Sequence, residues 1–539
     1  MGEPDESSTA EMETTKWRLT AEGKMFRKAR QRYPNGDVYD GEWLDGKRHG
    51  RGVYAYRSGD KYVGEFANGM REGFGVFVGA DTTEDERLVL RGRRYEGEWK
   101  NGRMEGRGLF VHGDGNSYDG DFESGKPHGR GVFTYANGDR FDGQFVRGKW
   151  SGKGTLAYGS GDTYDGELYA GRFHGYGTYQ WADGGGSYVG TWHNGRKHGR
   201  GRRIFSNGNT YEGDFKDGKS HGEGTMSYAS GDVYVGDFEE DAFHGNGVIT
   251  YAYGDRYEGQ FMKGVPYGRG KYTYSDGGYY RGEYLALLDY YEHGITFPNA
   301  NGKRHGKGVR IWASGNKYEG DWADDKPHGK GVFTWANGDK YVGQFLMGRK
   351  EGFGVCTFGD EDGSPYTCPM GVTHTNRGRD GGRMCKYEGH YRNDFRSGKG
   401  VFDCANGTRY EGDWHQDERC GEGKMNMIPE LERGNPRRLY IGGMDGMYRP
   451  AVYEGEWVRK RGTVCGVREG KGKIILPNGD QYKGEFVGGN LSGTGEVIFA
   501  SGKVRKCLFK HSGIIKYLSH QEASADAALN YMLDMKTRK

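Results

Sequence analysis

Apolar and polar residues alternate along most of this chain, and the alternation restarts at a nearly fixed interval. In the stretch from Tyr318 to Lys340, Tyr318, Gly320 and Trp322 alternate with Glu319 and Asp321. A period of two puts successive side chains on opposite faces of an extended strand, so the rings and the glycine share one face and the acids the other. "ADDKPHG" then reads as a turn. A second alternation follows, with Gly329, Gly331, Phe333 and Trp335 on one face and Lys330, Val332 and Thr334 on the other. "ANGDK" closes the unit, and its Asn-Gly reads as a two-residue hairpin turn. One unit is therefore one β-hairpin, and Tyr341 opens the next.

An aromatic-x-Gly start of this kind occurs at seventeen places: Tyr39, Tyr62, Tyr95, Tyr118, Phe141, Tyr164, Tyr188, Tyr211, Tyr234, Tyr257, Tyr280, Tyr318, Tyr341, Tyr387, Tyr410, Tyr453 and Tyr482. Ten of the sixteen intervals are 23 residues and one is 24. The longer ones place insertions at 80–91, 285–299, 359–386, 428–452 and 458–468; the third of these makes an interval of 46 residues, two periods, and leaves a decayed repeat open. A lone hairpin is marginal in water, whereas stacked hairpins bury shared rings and stabilise one another neighbour by neighbour. The pattern predicts an all-β fold: an elongated single-layer antiparallel sheet, a solenoid-like array of about seventeen 23-residue hairpins over 39–504, with a short C-terminal α-helix.

The flanks read differently. Residues 1–15 are acidic and predict disorder; 16–38 predict a partial hairpin that caps the first edge strand. Residues 505–539 predict a C-terminal cap with a helix over about 520–536, since Ser519 and Glu522 form a capping box ahead of Ala525, Ala528, Leu529, Met532 and Leu533 at helical spacing.

Composition agrees with a thin, ring-rich sheet. Glycine supplies 102 of 539 residues and tyrosine 40. Charge is balanced, with 78 Lys+Arg against 75 Asp+Glu, which argues against a dedicated nucleic-acid binder. No apolar run approaches the ~20 residues a bilayer span needs. The seven cysteines all follow residue 355 and none forms CxxC, so reduced thiols in a cytosolic protein are expected.

The phrases "YEGEWKNGRMEGRG" at Tyr95 and "YEGDWADDKPHGKG" at Tyr318 resemble the MORN (membrane occupation and recognition nexus) repeat. The resemblance implies a string of hairpins in one twisted sheet with a groove on one side. Stand-alone arrays of this family resemble cytoskeletal and axonemal components, including radial-spoke-head proteins. That implies a non-enzymatic scaffold in the cytoplasm and cytoskeleton, in a cilium or flagellum, holding other proteins of the assembly. A phosphoinositide-binding adaptor and a regulatory subunit of an enzyme are the competing readings. Homodimerisation and contact with anionic phospholipid stay open; nucleic acid is not expected. Some relatives append catalytic domains, but the 38 residues before Tyr39 and 35 after Val504 are too short for one of typical size.

Specific chemistry is sparse. Eight histidines, His49, His128, His174, His198, His221, His244, His305 and His328, recur at one turn position, which fits a structural role, and no metal site, catalytic residue or cofactor is expected. Glycine pairs join strand to strand rather than strand to helix, which excludes a phosphate loop. Candidate partner contacts are Trp99, Trp192, Trp322, Trp414 and Trp457, with inter-hairpin packing as the alternative. The apolar insertion residues Leu285, Leu287, Leu288, Tyr290 and Tyr291 either pack on the sheet or anchor a partner. Leu529, Met532 and Leu533 either cap the last strand or dock. One basic cluster, Arg196, Lys197, Arg200, Arg202 and Arg203, is either a solvated turn or a contact for anionic lipid or an acidic partner.

Overall fold

The computed structural model describes residues 16–80, 92–285, 302–358, 366–367, 373–374, 385–404, 407–427, 451–458 and 466–518. The chain divides into two units, 1–252 and 253–539. Among the described residues each unit holds twenty strands and no helix. The helix expected over 520–536 lies outside the described residues.

Within the first unit the strands run from Arg18–Leu19 to Ala242–Thr250, and each pairs antiparallel with the next in sequence. The second unit repeats this order from Arg256–Met262 to Gly513–Tyr517. A two-stranded ribbon, Tyr366–Thr367 with Thr373–His374, stands apart from that ladder. The all-β antiparallel array read from the period of two is therefore the observed architecture.

Two turn readings need correction. The expected turn "ADDKPHG" is only Asp324 and Asp325, whose φ values of 46° and 67° make the mirror-image turn that matches strand twist. The strand Lys326–Thr334 then starts at once, and the apparent turn residues His328 and Gly329 form a bulge: Asp321 opposes His328, while its neighbour Gly320 opposes Gly331. Gly329 takes φ +56°, and a side chain there would strike the Asp321 carboxylate. That carboxylate accepts the Lys330 amide at 2.9 Å, the donor that the bulge removes from the ladder. Conversely, "ANGD" is not a two-residue turn. Trp335 donates to Asp339 O at 2.8 Å and Gly338 to Trp335 O at 2.9 Å, which makes a longer loop with Gly338 left-handed at φ 85°.

Both margins of the sheet are stitched from repeat to repeat. At the "NGD" margin, Asp139 Oδ1 accepts the Gly159 amide at 2.7 Å and Asn316 Oδ1 accepts the Ala336 amide at 2.9 Å. At the other margin, the Gly69 amide donates to Arg48 O and the Gly102 amide to Arg71 O, both at 2.9 Å.

Insertions leave the ladder unbroken. Leu285 pairs with Lys303, Val458 with Val467, Phe358 with Cys385, and Met427 with Ala451. The first two insertions thus sit inside a hairpin and the last two between hairpins. Ahead of Tyr39, the strand Met25–Arg32 pairs with Val38–Leu44; after the last repeat, Val504–Lys510 pairs with Gly513–Tyr517.

Candidate protein-interaction face

The two faces of the sheet differ in kind. On the ring face the first tyrosine of a hairpin folds back over its own strand. Tyr318 is fully buried, its Oη donates to Asp321 O at 2.8 Å, and its ring covers Gly320 and Gly331. A side chain at Gly331 would begin about 2.4 Å from that Oη, so the two glycines opposed across the hairpin are required by the ring above them. Tyr318 then meets Trp322 of its own hairpin and Phe345 of the next, each at 5.1 Å and nearly perpendicular. The same pair of edge contacts recurs at Tyr62 with Phe66 and Trp99, and at Tyr387 with Tyr391 and Trp414. Edge-to-face geometry adds to what burial contributes. Burial raises the Tyr318 phenol well above its ordinary pKa, as it does at Tyr62 and Tyr387.

A cation caps many of these rings. Arg304 lies 4.8 Å above the Trp322 ring and donates to the Asp325 carboxylate at 2.9 Å; Arg71 lies 4.0 Å above Trp99, and Arg396 4.5 Å above Trp414. This capping position was missed in the sequence reading. The signal was present: a Lys or Arg recurs as the second residue of the second strand, in "KRHG", "RKHG" and "FRSG".

The five candidate tryptophans all belong to this packing. Trp99, Trp192, Trp322, Trp414 and Trp457 are buried, and the first four donate Nε1–H to the carbonyls of Gly75, Gly177, Gly308 and Gly400 at 3.1–3.2 Å. All five therefore stand in the inter-hairpin packing. Leu285 ends the strand Tyr279–Leu285; Leu287, Leu288, Tyr290, Tyr291, Leu529, Met532 and Leu533 lie outside the described residues.

The basic cluster is divided by the sheet. Lys197 is a ring-face cap, 5.7 Å over Tyr188 and 5.1 Å over Phe215, and burial lowers its pKa. Arg203 stacks 3.4 Å over Trp181 and donates to Gly185 O at 3.3 Å. Arg200 and Arg202 stand on the opposite face, where Arg200 pairs with Asp214 at 3.1 Å and Arg202 opposes Glu212. Arg196 opposes His193 at the turn.

The open face carries the charge. In the second unit it curves into a groove of about 1830 Å³ whose floor is a row of glycines, among them Gly389, Gly400, Gly412 and Gly423. These are the same glycines whose other side lies under the tyrosines. The walls alternate in sign, with Lys386 on Glu388 at 2.6 Å and Glu454 held between Lys424 at 2.8 Å and Lys473 at 2.9 Å. Phe353 and Leu518 also line it. A backbone floor with paired charges can receive an extended or helical segment of another protein.

Reactive chemistry has no comparable assembly among the described residues. No group of three or more His, Cys, Asp or Glu is placed to hold a metal. Of the recurrent bulge histidines, His128 faces Glu123 through Nδ1 at 3.0 Å, and His174 lies 5.1 Å between ring centres from His193, which ends the strand Gly186–His193. Burial pushes the Cys356 thiol up to about 11, which keeps it protonated and unreactive.

A family model described as MORN repeat matches seventeen segments, 39–61, 62–84, 95–117, 118–140, 141–163, 164–186, 188–210, 211–233, 234–256, 257–279, 300–317, 318–340, 341–363, 387–409, 410–426, 464–481 and 482–504, which together exceed half the chain. Two segments, 300–317 and 464–481, begin within a hairpin, downstream of the insertions that follow Leu285 and Val458. No curated protein matches the chain. Among solved structures, the TCP domain of SAS-4 (dCPAP) of Drosophila melanogaster, in complex with a proline-rich motif of Ana2 (dSTIL), is 10% identical over 40% of this chain and 90% of that one, with a TM-score of 0.18. The TCP10 domain of Danio rerio CPAP, in complex with a STIL peptide, is 10% identical over 57% of this chain and 92% of that one, with a TM-score of 0.16. Scores that low do not establish a shared fold.

Proposed function

The chain belongs to the MORN-repeat family, and from that premise we propose that it is a non-enzymatic scaffold whose open face holds segments of partner proteins. One observation carries this reading. The ring face is saturated by its own tyrosines, tryptophans and cations, whereas the open face of the second unit offers a glycine-floored groove with charged walls. A face built this way recognises shape and charge and offers nothing to activate a nucleophile. The setting we propose is the cytoskeleton of a cilium or flagellum, by the resemblance of stand-alone arrays of this family to axonemal components.

Tagged protein imaged in its native cell, then extracted with detergent, tests the reading. Retention on the axoneme supports it; complete release into the soluble fraction sinks it. Flotation with liposomes containing phosphoinositide tests the adaptor alternative, which needs binding that falls when Arg200 and Arg202 are reversed to Glu.

A further inference from the structure

Two hairpins depart from the rest in the same three places. Tyr62–Val76 and Tyr341–Val355 both carry Val in the Tyr-x-Gly phrase where most have an acid, Glu where eight of the seventeen have histidine, and Phe between the two bulge glycines where most have a cation. At Val132 acids stand on both sides, since Asp119 and Asp142 flank it, and Val235 meets a single valine, Val248, with Thr225 on its other side. At the first departure the acid is gone. Val53, Val63 and Val76 oppose one another directly across three strands, and Phe74 stands beside them on the same face, opposite Glu98. Phe74 is 55% exposed and Val63 44%. Val332, Val342, Val355 and Phe353 repeat this island in the second unit.

The islands differ in their rims. Four carboxylates surround Phe74: Glu65, Glu72, Glu96 and Glu98. The cations nearby are Arg51, opposite Glu65, Lys61, opposite Val78, and Arg94, ion-paired with Glu96. Around Phe353, Gln344 takes the place of Glu65 and His390 the place of Glu98, while Glu351 and the Lys386-paired Glu388 match Glu72 and the Arg94-paired Glu96, so two carboxylates stand where the first island has four. Of the two islands, the first has the more acidic edge around its exposed apolar surface.

We propose that the island at Val53, Val63, Phe74 and Val76 is a docking site for a partner-protein segment that carries apolar anchor residues flanked by Lys or Arg. The anchors cover Phe74 and the valine row, and the cations meet Glu65, Glu96 and Glu98. Charge complementarity selects this occupant over an anionic membrane, which the same carboxylates repel. The site is separate from the groove of the second unit and stands or falls without it.

The probe is a fluorescein-labelled synthetic peptide, Gly-Arg-Lys-Leu-Ser-Phe-Ser-Lys-Arg-Gly, titrated into the full chain and followed by anisotropy. Saturable binding is expected, lost about tenfold or more in Val63→Lys/Phe74→Lys and about threefold in Glu98→Gln. Val332→Lys/Val342→Lys, in the second island, should stay within about twofold of the parent. Peptides with Ser for Leu and Phe, or with Glu for Lys and Arg, should fail. Circular dichroism checks that the variants fold, and Phe74→Ser serves if the double variant does not. Equal binding of either control peptide, or parental affinity in Val63→Lys/Phe74→Lys or Phe74→Ser, overturns the proposal. So does binding that emerges only after Leu88, Val89 and Leu90 are changed to Ser, which would make the chain's own segment the occupant. Loss of self-association in Val63→Lys with no probe binding to the parent would assign the island to a second copy instead.

Discussion

At Tyr318 the sheet has no slack: the ring is buried, its hydroxyl is bonded, and two glycines lie directly beneath it. One residue on, Glu319 points the other way, paired only with Lys317 at 2.8 Å and substantially exposed. The two faces share a backbone and a register, yet one accepts almost no substitution and the other accepts many. Ring positions change little along the chain, whereas the open-face position after the tyrosine is Asp, Glu, Val, Arg or Lys. Stability therefore resides mainly on one side, and the opposite side is free to vary.

The sharpest way to break this contrast is to add volume under a ring. Gly331→Val should cost more than ~3 kcal/mol, because the added side chain displaces Tyr318 and sits in a closed packing. Thermal unfolding with hydrogen exchange on the strands Lys317–Ala323 and Lys326–Thr334 would show it. Tyr318→Leu should cost about 2–4 kcal/mol, losing the bond to Asp321 O and two edge contacts, by the same measurements.

Alkaline pH tests the ring face as a whole. Buried ring-face tyrosines have raised pKa values, with Tyr54 pushed up to about 12 by burial and its bond to Asp37, while unfolded ones ionise near 10. Above about pH 10 the unfolded chain holds fewer protons than the folded one, so stability is intact below that pH and falls as pH rises. Apart from exposed tyrosines such as Tyr169, Tyr176 and Tyr253, phenolate absorbance should climb together with unfolding; ionisation of most tyrosines with strand content intact would contradict buried rings.

Smaller effects belong to the margins and the open face. Asn316→Ala removes the acceptor for the Ala336 amide and should cost about 1 kcal/mol in denaturant midpoint. Glu319→Ser should change stability by less than about 0.5 kcal/mol. A loss comparable with that of Tyr318→Leu would show that the open face also holds the fold.

Much of this was legible in residue order. The period of two assigned Tyr318, Gly320 and Trp322 to one face and Glu319 and Asp321 to the other, and the 23-residue interval counted the hairpins. Both are local properties, since pleating sends neighbours to opposite sides whatever the strand later packs against. The extra residues of the bulge were not legible. "KPHGKG" does not reveal that Asp321 will accept the Lys330 amide, because that donor is freed only when the strands pair out of step at Gly329. The basic cluster likewise looked continuous in sequence, yet pairing sent Lys197 and Arg203 to the rings and Arg200 and Arg202 to the acids. The valine row from Val53 through Val63 to Val76 exists only across three strands. Sequence alone determined the repeat, the hairpin and the two faces, because these follow from side-chain alternation within one strand. Tertiary structure decided which glycines lie under rings, which cations are buried and where apolar surface is continuous, because each depends on the register between strands that no single strand contains.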